Sequence, residues 1–231
     1  MSNSQREFYI VCGHYGVGKS NFSINLAIER AKMGRKVILM DLDLVNPYFL
    51  SSGYEELMKG YGIRVIKPLY ANSNVDIPAL PADINVAFED DADVVMDVGG
   101  DDAGSTVLGR FQERINSMEY KMIYVVNKYR NLTHTPEEAA ELLKEIEQAS
   151  RCHATAIVNN SHLKAETKAG TVINALDFGQ EVGKILNLPL LATTVPKSIY
   201  EDESNKAVLS ENETKAVKWY PVDIIVKAPW E

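Results

Sequence analysis

Val11-Cys12-Gly13-His14-Tyr15-Gly16-Val17-Gly18-Lys19-Ser20 decides how this chain is read. Gly13, Gly18, Lys19 and Ser20 fill the spacing G-x-x-x-x-G-K-[ST], in which glycines let backbone N–H groups curl around an anion without a Cβ clash. A helix that starts near Gly18 adds its positive end, Lys19 is placed to reach the outer phosphates of a nucleotide, and the Ser20 hydroxyl is placed to ligate Mg²⁺. In a chain of this length and composition the pattern arises by accident roughly once in a hundred sequences, so its surroundings matter.

The surroundings agree. Phe8-Tyr9-Ile10-Val11 reads as a buried strand, and Asn21 to Met33 puts Phe22, Ile24, Leu26, Ala27, Ile28 and Ala31 on one broad helical face. Strand, glycine loop and helix therefore follow in the order a phosphate cradle requires. After Gly34 a second buried strand, Lys36 to Met40, ends in Asp41-Leu42-Asp43. Carboxylates at the carboxyl end of a parallel strand lie on the ligand-binding side of an open α/β sheet. One of the pair then serves as a Mg²⁺ or water contact and the other orients an attacking water; the alternative is two loop carboxylates that cap the next helix.

A third stretch, Asp93-Val94-Val95-Met96-Asp97-Val98-Gly99-Gly100, repeats the design. Asp97 stands at a strand end, where it can hold Mg²⁺ through water, and the glycine N–H after it can approach a terminal phosphate. Either Asp101 or Asp102 reads as a cap of the helix that Thr106-Val107-Leu108 begins. Between these motifs, residues 67 to 81 are rich in Pro, Asn and Ala and are expected to form a surface excursion. Further strands are expected at Ile63–Ile66, Met122–Val126, Ala154–Val158, Leu190–Pro196 and, at an edge, Val222–Val226. Thr135, Pro136 and Glu138 carry a capping box for the helix after Met122–Val126, and Thr171 to Leu188 reads as one helix. Strands alternating with helices require an α/β fold: a doubly wound, mostly parallel sheet of about seven or eight strands with helices on both faces, in one domain spanning 1–231.

Bulk properties narrow the partners. The formal charge of −8 opposes non-specific binding to DNA or anionic lipid, which needs clustered Lys and Arg, and no apolar run is long enough to span a membrane. Cys12 and Cys152 lie far apart, without the spacing of a disulfide framework or metal cluster. Met1 to Glu7 is polar and leads straight into a strand, so no secretory leader is expected and a reducing cytoplasmic setting is.

Gly13 to Ser20, Asp41-x-Asp43 and Asp97-Val98-Gly99-Gly100 together resemble the CobQ/CobB/MinD/ParA nucleotide-binding group of P-loop ATPases, over nearly the whole chain from Tyr9 to about Ser204. The resemblance implies a Walker A loop in which Gly13, His14, Tyr15, Gly16, Val17, Gly18, Lys19, Ser20 and Asn21 contact the nucleotide, with Gly99 beside its outer phosphate. It implies Ser20, Asp41 and Asp97 around Mg²⁺, Asp43 positioning the attacking water, Asn159 bonding the adenine, and the loop at Val195-Pro196-Lys197 covering the base. Many members carry a second lysine directly after the first glycine, which reaches across a dimer; here that position is His14, shorter and mostly neutral at pH 7.

The expected function is a Mg-ATP-binding protein that hydrolyses ATP slowly and couples nucleotide state to a partner protein, with a homodimer allowed by the resemblance. An ATP-dependent ligase or kinase acting on a small carboxylate substrate, and a nucleotide-gated binding module without turnover, stay open. A GTPase is the nearest rival, because Asn127-Lys128 begins like the guanine-reading N-K-x-D. Arg130 stands where the aspartate would be, and an arginine has no acceptor to offer.

Overall fold

In a computed structural model, which describes residues 5–42, 52–67, 84–100 and 102–226, eight parallel strands form one sheet in the order β3-β2-β4-β1-β5-β6-β7-β8. The strands are β1 (Phe8–Cys12), β2 (Val37–Leu42), β3 (Arg64–Ile66), β4 (Asp93–Val98), β5 (Lys121–Val126), β6 (Ala156–Asn159), β7 (Leu190–Pro196) and β8 (Trp219–Val222). β1, β2 and β4 are buried at every position, as strands covered on both faces must be.

Residue parity sorts the two layers. Ile10, Met40, Met96 and Tyr124 point to one side, where they pack with α4 (Asp102–Gly109), α5 (Gln112–Asn116), α6 (Pro136–Ser150) and α8 (Leu176–Leu186). Val11, Leu39, Val95 and Val125 point to the other, under α1 (Lys19–Lys32), with Met58 of α2 (Ser52–Gly60) beside them. The remaining helices are α3 (Ile84–Glu89), α7 (Ala169–Ile173), α9 (Lys197–Tyr200), α10 (Glu203–Glu211) and α11 (Glu213–Ala216). The last two close a small apolar cluster of Val172, Leu176, Val195, Leu209 and Trp219 under the β7–β8 edge.

The capping box forms as its residues predict. Thr135 Oγ1 accepts the Glu138 N–H at 3.2 Å, and Glu138 returns a carboxylate oxygen to the Thr135 N–H at 3.1 Å. Two expectations are corrected. Thr171 to Leu188 is two helices, because the chain bends after Ile173 and the carbonyls of Asn174 and Ala175 accept from Lys128 Nζ and Asn159 Nδ2. Val172 and Leu176 are buried on either side of the break, so the apolar period runs through it unbroken. The last strand is Trp219–Val222, and residues 223–226 leave the sheet because side chains of α1 take up their backbone groups. Asp43, Asp101 and most of the 67–81 excursion lie outside the described residues.

At the amino ends of the strands Asp93 is fully buried and ties three elements together. Its carboxylate accepts the Glu7 N–H at 3.0 Å and pairs with Arg30 of α1 and with Arg35, each at 2.8 Å. Asp93→Asn removes a charged acceptor shared by two guanidinium groups. It is expected to cost about 2–4 kcal/mol, read as a lower urea midpoint at unchanged slope.

Candidate functional site

Because β1, β4 and β2 are neighbours, their carboxyl ends bring the glycine loop, Asp97 and Asp41 to one edge of the sheet. Asp41 and Asp97 are register partners, and both continue the rows of residues that face α1. They are 5 % and 6 % exposed, so two carboxylates stand abreast with little water around them. Asp97 also accepts the Ser23 Oγ–H at 3.0 Å, a contact one helical turn past Ser20 that the motif spacing did not mark.

α1 begins at Lys19, directly after Gly18, whose φ of +96° is left-handed. A Cβ on Gly18 would lie 2.2 Å from Asn160 Nδ2, so only glycine lets the loop turn and meet that amide. Asn160 is 1 % exposed. It donates to the Val17 carbonyl at 2.7 Å and accepts Thr194 Oγ–H at 2.6 Å, so the ends of β6 and β7 brace the loop from outside. Lys19 is buried with its ammonium folded back over the loop, 3.0 Å from the His14 carbonyl. Gly100 completes the enclosure: a Cβ there would lie 2.5 Å from Tyr15 N and 2.6 Å from Lys19 Nζ. Gly99, the glycine expected at this place, sits one residue back, packed under Gly104 of α4. Burial and then the Lys19 charge hold the His14 imidazole below its ordinary pKa, so position 14 is neutral at pH 7.

The other expected residues are placed as follows. Ser20 is partly exposed in the first turn of α1, while Tyr15 and Gly16 form the open crest of the loop. Asn21 points away from it: its amide donates to the Asp223 carbonyl at 3.0 Å and accepts the N–H groups of Ile225 and Val226. Asn25, one turn on, bonds both backbone groups of Asp223. Asp223 in turn pairs with Lys197, which follows Pro196 at the buried end of β7. Asn159 is fully buried, donating to the Ala175 carbonyl at 2.8 Å and accepting Ser161 Oγ–H at 2.6 Å. A direct contact from Asn159 to a base would require those two bonds to be exchanged. In the Asn127–Arg130 segment, Asn127 accepts the Tyr129 N–H and donates to the His162 carbonyl, which ties the loop after β5 to the loop after β6.

The donor set around Asp41 and Asp97 contains oxygen alone, which suits a hard cation such as Mg²⁺. Among the described residues no group of three or more His, Cys, Asp and Glu side chains converges. Such a cation can be held by one or two carboxylates, with phosphate oxygens and water completing its shell. Asp41, Asp97 and the Ser20 hydroxyl are the residues that would hold it, and its chemistry would be neutralisation of phosphate charge. Missed by the sequence reading were Asn160, Gly100, Ser23, Asn25 and Asp223. Asn160 and Gly100 adjoin residues that were chosen, whereas Asp223 carries no motif and is found only in three dimensions.

His162 supplies a measurable consequence. Burial, with Arg130 and Lys164 adding to it, pushes its pKa from 6.5 down to about 4. The folded state thus resists the proton that the unfolded state accepts, so stability is whole above about pH 6.5 and falls as the pH drops toward 4. Between pH 7.5 and pH 5 this residue is expected to account for about 2 kcal/mol of lost unfolding free energy in urea, and His162→Gln should remove that increment.

Residues 9–177 match the family described as the CobQ/CobB/MinD/ParA nucleotide binding domain. A search of curated proteins finds no match. Among solved structures the chain resembles FtsY from Thermotoga maritima at 19% identity, with a TM-score of 0.54 over 82% of this chain and 62% of that one. It resembles FtsY from Mycoplasma mycoides at 17% identity, TM-score 0.52, over 83% and 61% of the two chains. The signal recognition particle 54 kDa protein from Aeropyrum pernix K1, solved in complex with GDP, gives 12% identity and a TM-score of 0.53 over 84% and 42%. The chain spans about three fifths of the length of the FtsY chains, and at these identities the likeness is one of fold. No helix among the described residues is long and apolar enough to cross a membrane. With a glycine loop, lysine and strand-end carboxylates at one sheet edge, and with the match over most of its length, this chain belongs to the CobQ/CobB/MinD/ParA nucleotide-binding family and has the P-loop NTPase fold.

Proposed function

We propose that the protein binds Mg-ATP, hydrolyses it slowly by direct attack of water, and couples the nucleotide state to a partner protein. The observation that carries this reading is the enclosure of the Lys19 ammonium between the His14 carbonyl and Gly100, beside the abreast carboxylates Asp41 and Asp97. Lys19 and the N-terminal turn of α1 supply positive charge for the β- and γ-phosphates, while Asp41 and Asp97 with Ser20 orient the ion. Asp43 is the proposed orienter of the attacking water. Catalysis of this kind is positioning and charge neutralisation, with little covalent work for the protein.

Adenine rather than guanine is proposed on the chemistry of the loop ends. Reading the guanine N1 and N2 donors takes a carboxylate acceptor, and the Asn127–Arg130 segment carries an arginine at the aspartate position of N-K-x-D, with its side chain over the phosphate loop. The neutral imidazole of His14 supports a second reading, an ATP-dependent ligase or kinase acting on a small carboxylate, because such an enzyme needs no charge reaching into another subunit. In that case phosphate is released only when the carboxylate is added.

Three substitutions separate these readings. Lys19→Ala should abolish nucleotide binding in a titration, and Gly100→Ala, whose Cβ would meet the Tyr15 and His14 backbone, should weaken ATP by tenfold or more and lower the thermal midpoint. Asp43→Asn should retain ATP binding and lower phosphate release by about a hundredfold or more. Equal phosphate release after Asp43→Asn would remove the hydrolysis assignment, and GTP competing as well as ATP would remove the adenine assignment. The solution mass with and without ATP reports whether a homodimer forms.

A further inference from the structure

Two buried donors near the phosphate loop have no acceptor among the described residues. Arg130, four residues past the end of β5, lays its side chain across the loop crest: a Cβ on Gly16 would touch its Cδ and Nε at 3.8 Å. Nε is buried without a hydrogen-bond partner among the described residues. His162, at the end of β6, is 4 % exposed. Its Nδ1 accepts the Lys164 N–H at 3.2 Å, which places the ring proton on Nε2, and Nε2 is buried and likewise unpartnered. The two side chains are close enough for the Arg130 charge to act on the imidazole. Two donors cannot satisfy each other, and buried polar groups left bare are rare in folded proteins.

What satisfies both is a group with several lone pairs and negative charge, and the crest of a phosphate-binding loop is where such a group arrives. We propose that Arg130 and His162 form a subsite of the nucleotide pocket that takes an oxygen of the β- or γ-phosphate, with Arg130 providing from within the same chain the fixed charge that His14 does not. The proposal rests on the nucleotide-binding reading and adds to it two positions that neither the Walker spacing nor the strand-end carboxylates mark. A guanidinium serves here better than an ammonium, because its rigid fork keeps Nε and the terminal nitrogens aimed together at one oxyanion.

The test is equilibrium binding of ATP, ADP, AMP and inorganic tripolyphosphate, with Mg²⁺, to the full chain and to its Arg130→Gln, Arg130→Lys, His162→Phe and Lys19→Ala variants. Arg130→Gln is expected to weaken ATP, ADP and tripolyphosphate by roughly ten- to a hundredfold and AMP by less than twofold, with partial recovery in Arg130→Lys. Because Arg130→Gln and His162→Phe each remove a donor left bare among the described residues, the thermal midpoint of these two unliganded variants should hold or rise. Equal losses for AMP and ATP would assign the pair to the nucleoside and overturn the proposal. So would unchanged affinities, which would leave a trapped water as the acceptor, or a lower midpoint with affinity intact, which would make Arg130 structural. Wild-type protein that ignores every probe, as Lys19→Ala should, would instead overturn the nucleotide-binding reading itself.

Discussion

Two carboxylates held abreast in a place with little water cannot both carry charge cheaply, and the carboxyl end of this sheet is arranged around that constraint. Asp41 and Asp97 are neighbours because β2 and β4 are parallel and in register, and parallel pairing leaves no freedom to stagger them without turning every apolar residue of a strand to the wrong face. Positive charge must therefore come close. The start of α1 brings it through the helix terminus and through Lys19, whose ammonium lies next to Gly100 at the end of the same β4. Ser23 adds a hydroxyl to Asp97. The geometry is one that a magnesium polyphosphate relieves, since it brings cation and anion to their complementary sides together.

The loop that faces these carboxylates has almost nothing of its own to hold it. Glycines give it the shape and also the largest entropy to lose on ordering, so rigidity has to be supplied by neighbours. Asn160 supplies it by linking the Val17 carbonyl to Thr194 on β7, a buried bridge from the loop after β1 past β5 and β6 to β7. Loop, brace and lysine are thereby tied together by side chains from three separate parts of the sequence.

Much of this was legible in the residues, and the boundary of legibility has a physical form. Features written locally came through: the glycine loop between Val11 and Ser20, Asp41 and Asp97 near the ends of their strands, the Thr135 capping box and the parallel alternation of strands and helices. What stayed hidden depends on partners remote in sequence. Nothing near Asn160 says that it, rather than Asn159, reaches the loop; the two differ only in which face of a strand end they occupy. Val222 to Val226 reads as a strand by composition, and only Asn21 and Asn25 on α1 reveal why everything after Val222 leaves the sheet. The break after Ile173 is invisible for the opposite reason, since both helices bury one continuous apolar stripe.

The capture of residues 223–226 by α1 bears on how the molecule assembles. Asn21 and Asp223 are 202 positions apart, among the most distant pairings in the fold. Contacts of that separation form only after most of the loop-closure entropy between them has been overcome. The helix that carries Lys19 is thus tied by two asparagines to a segment near the other end of the sequence, and the sheet between them must offset the closure entropy of that pairing. Trimming or loosening the segment after β8 would strip Asn21 and Asn25 of their backbone partners and reach the lysine through its own helix.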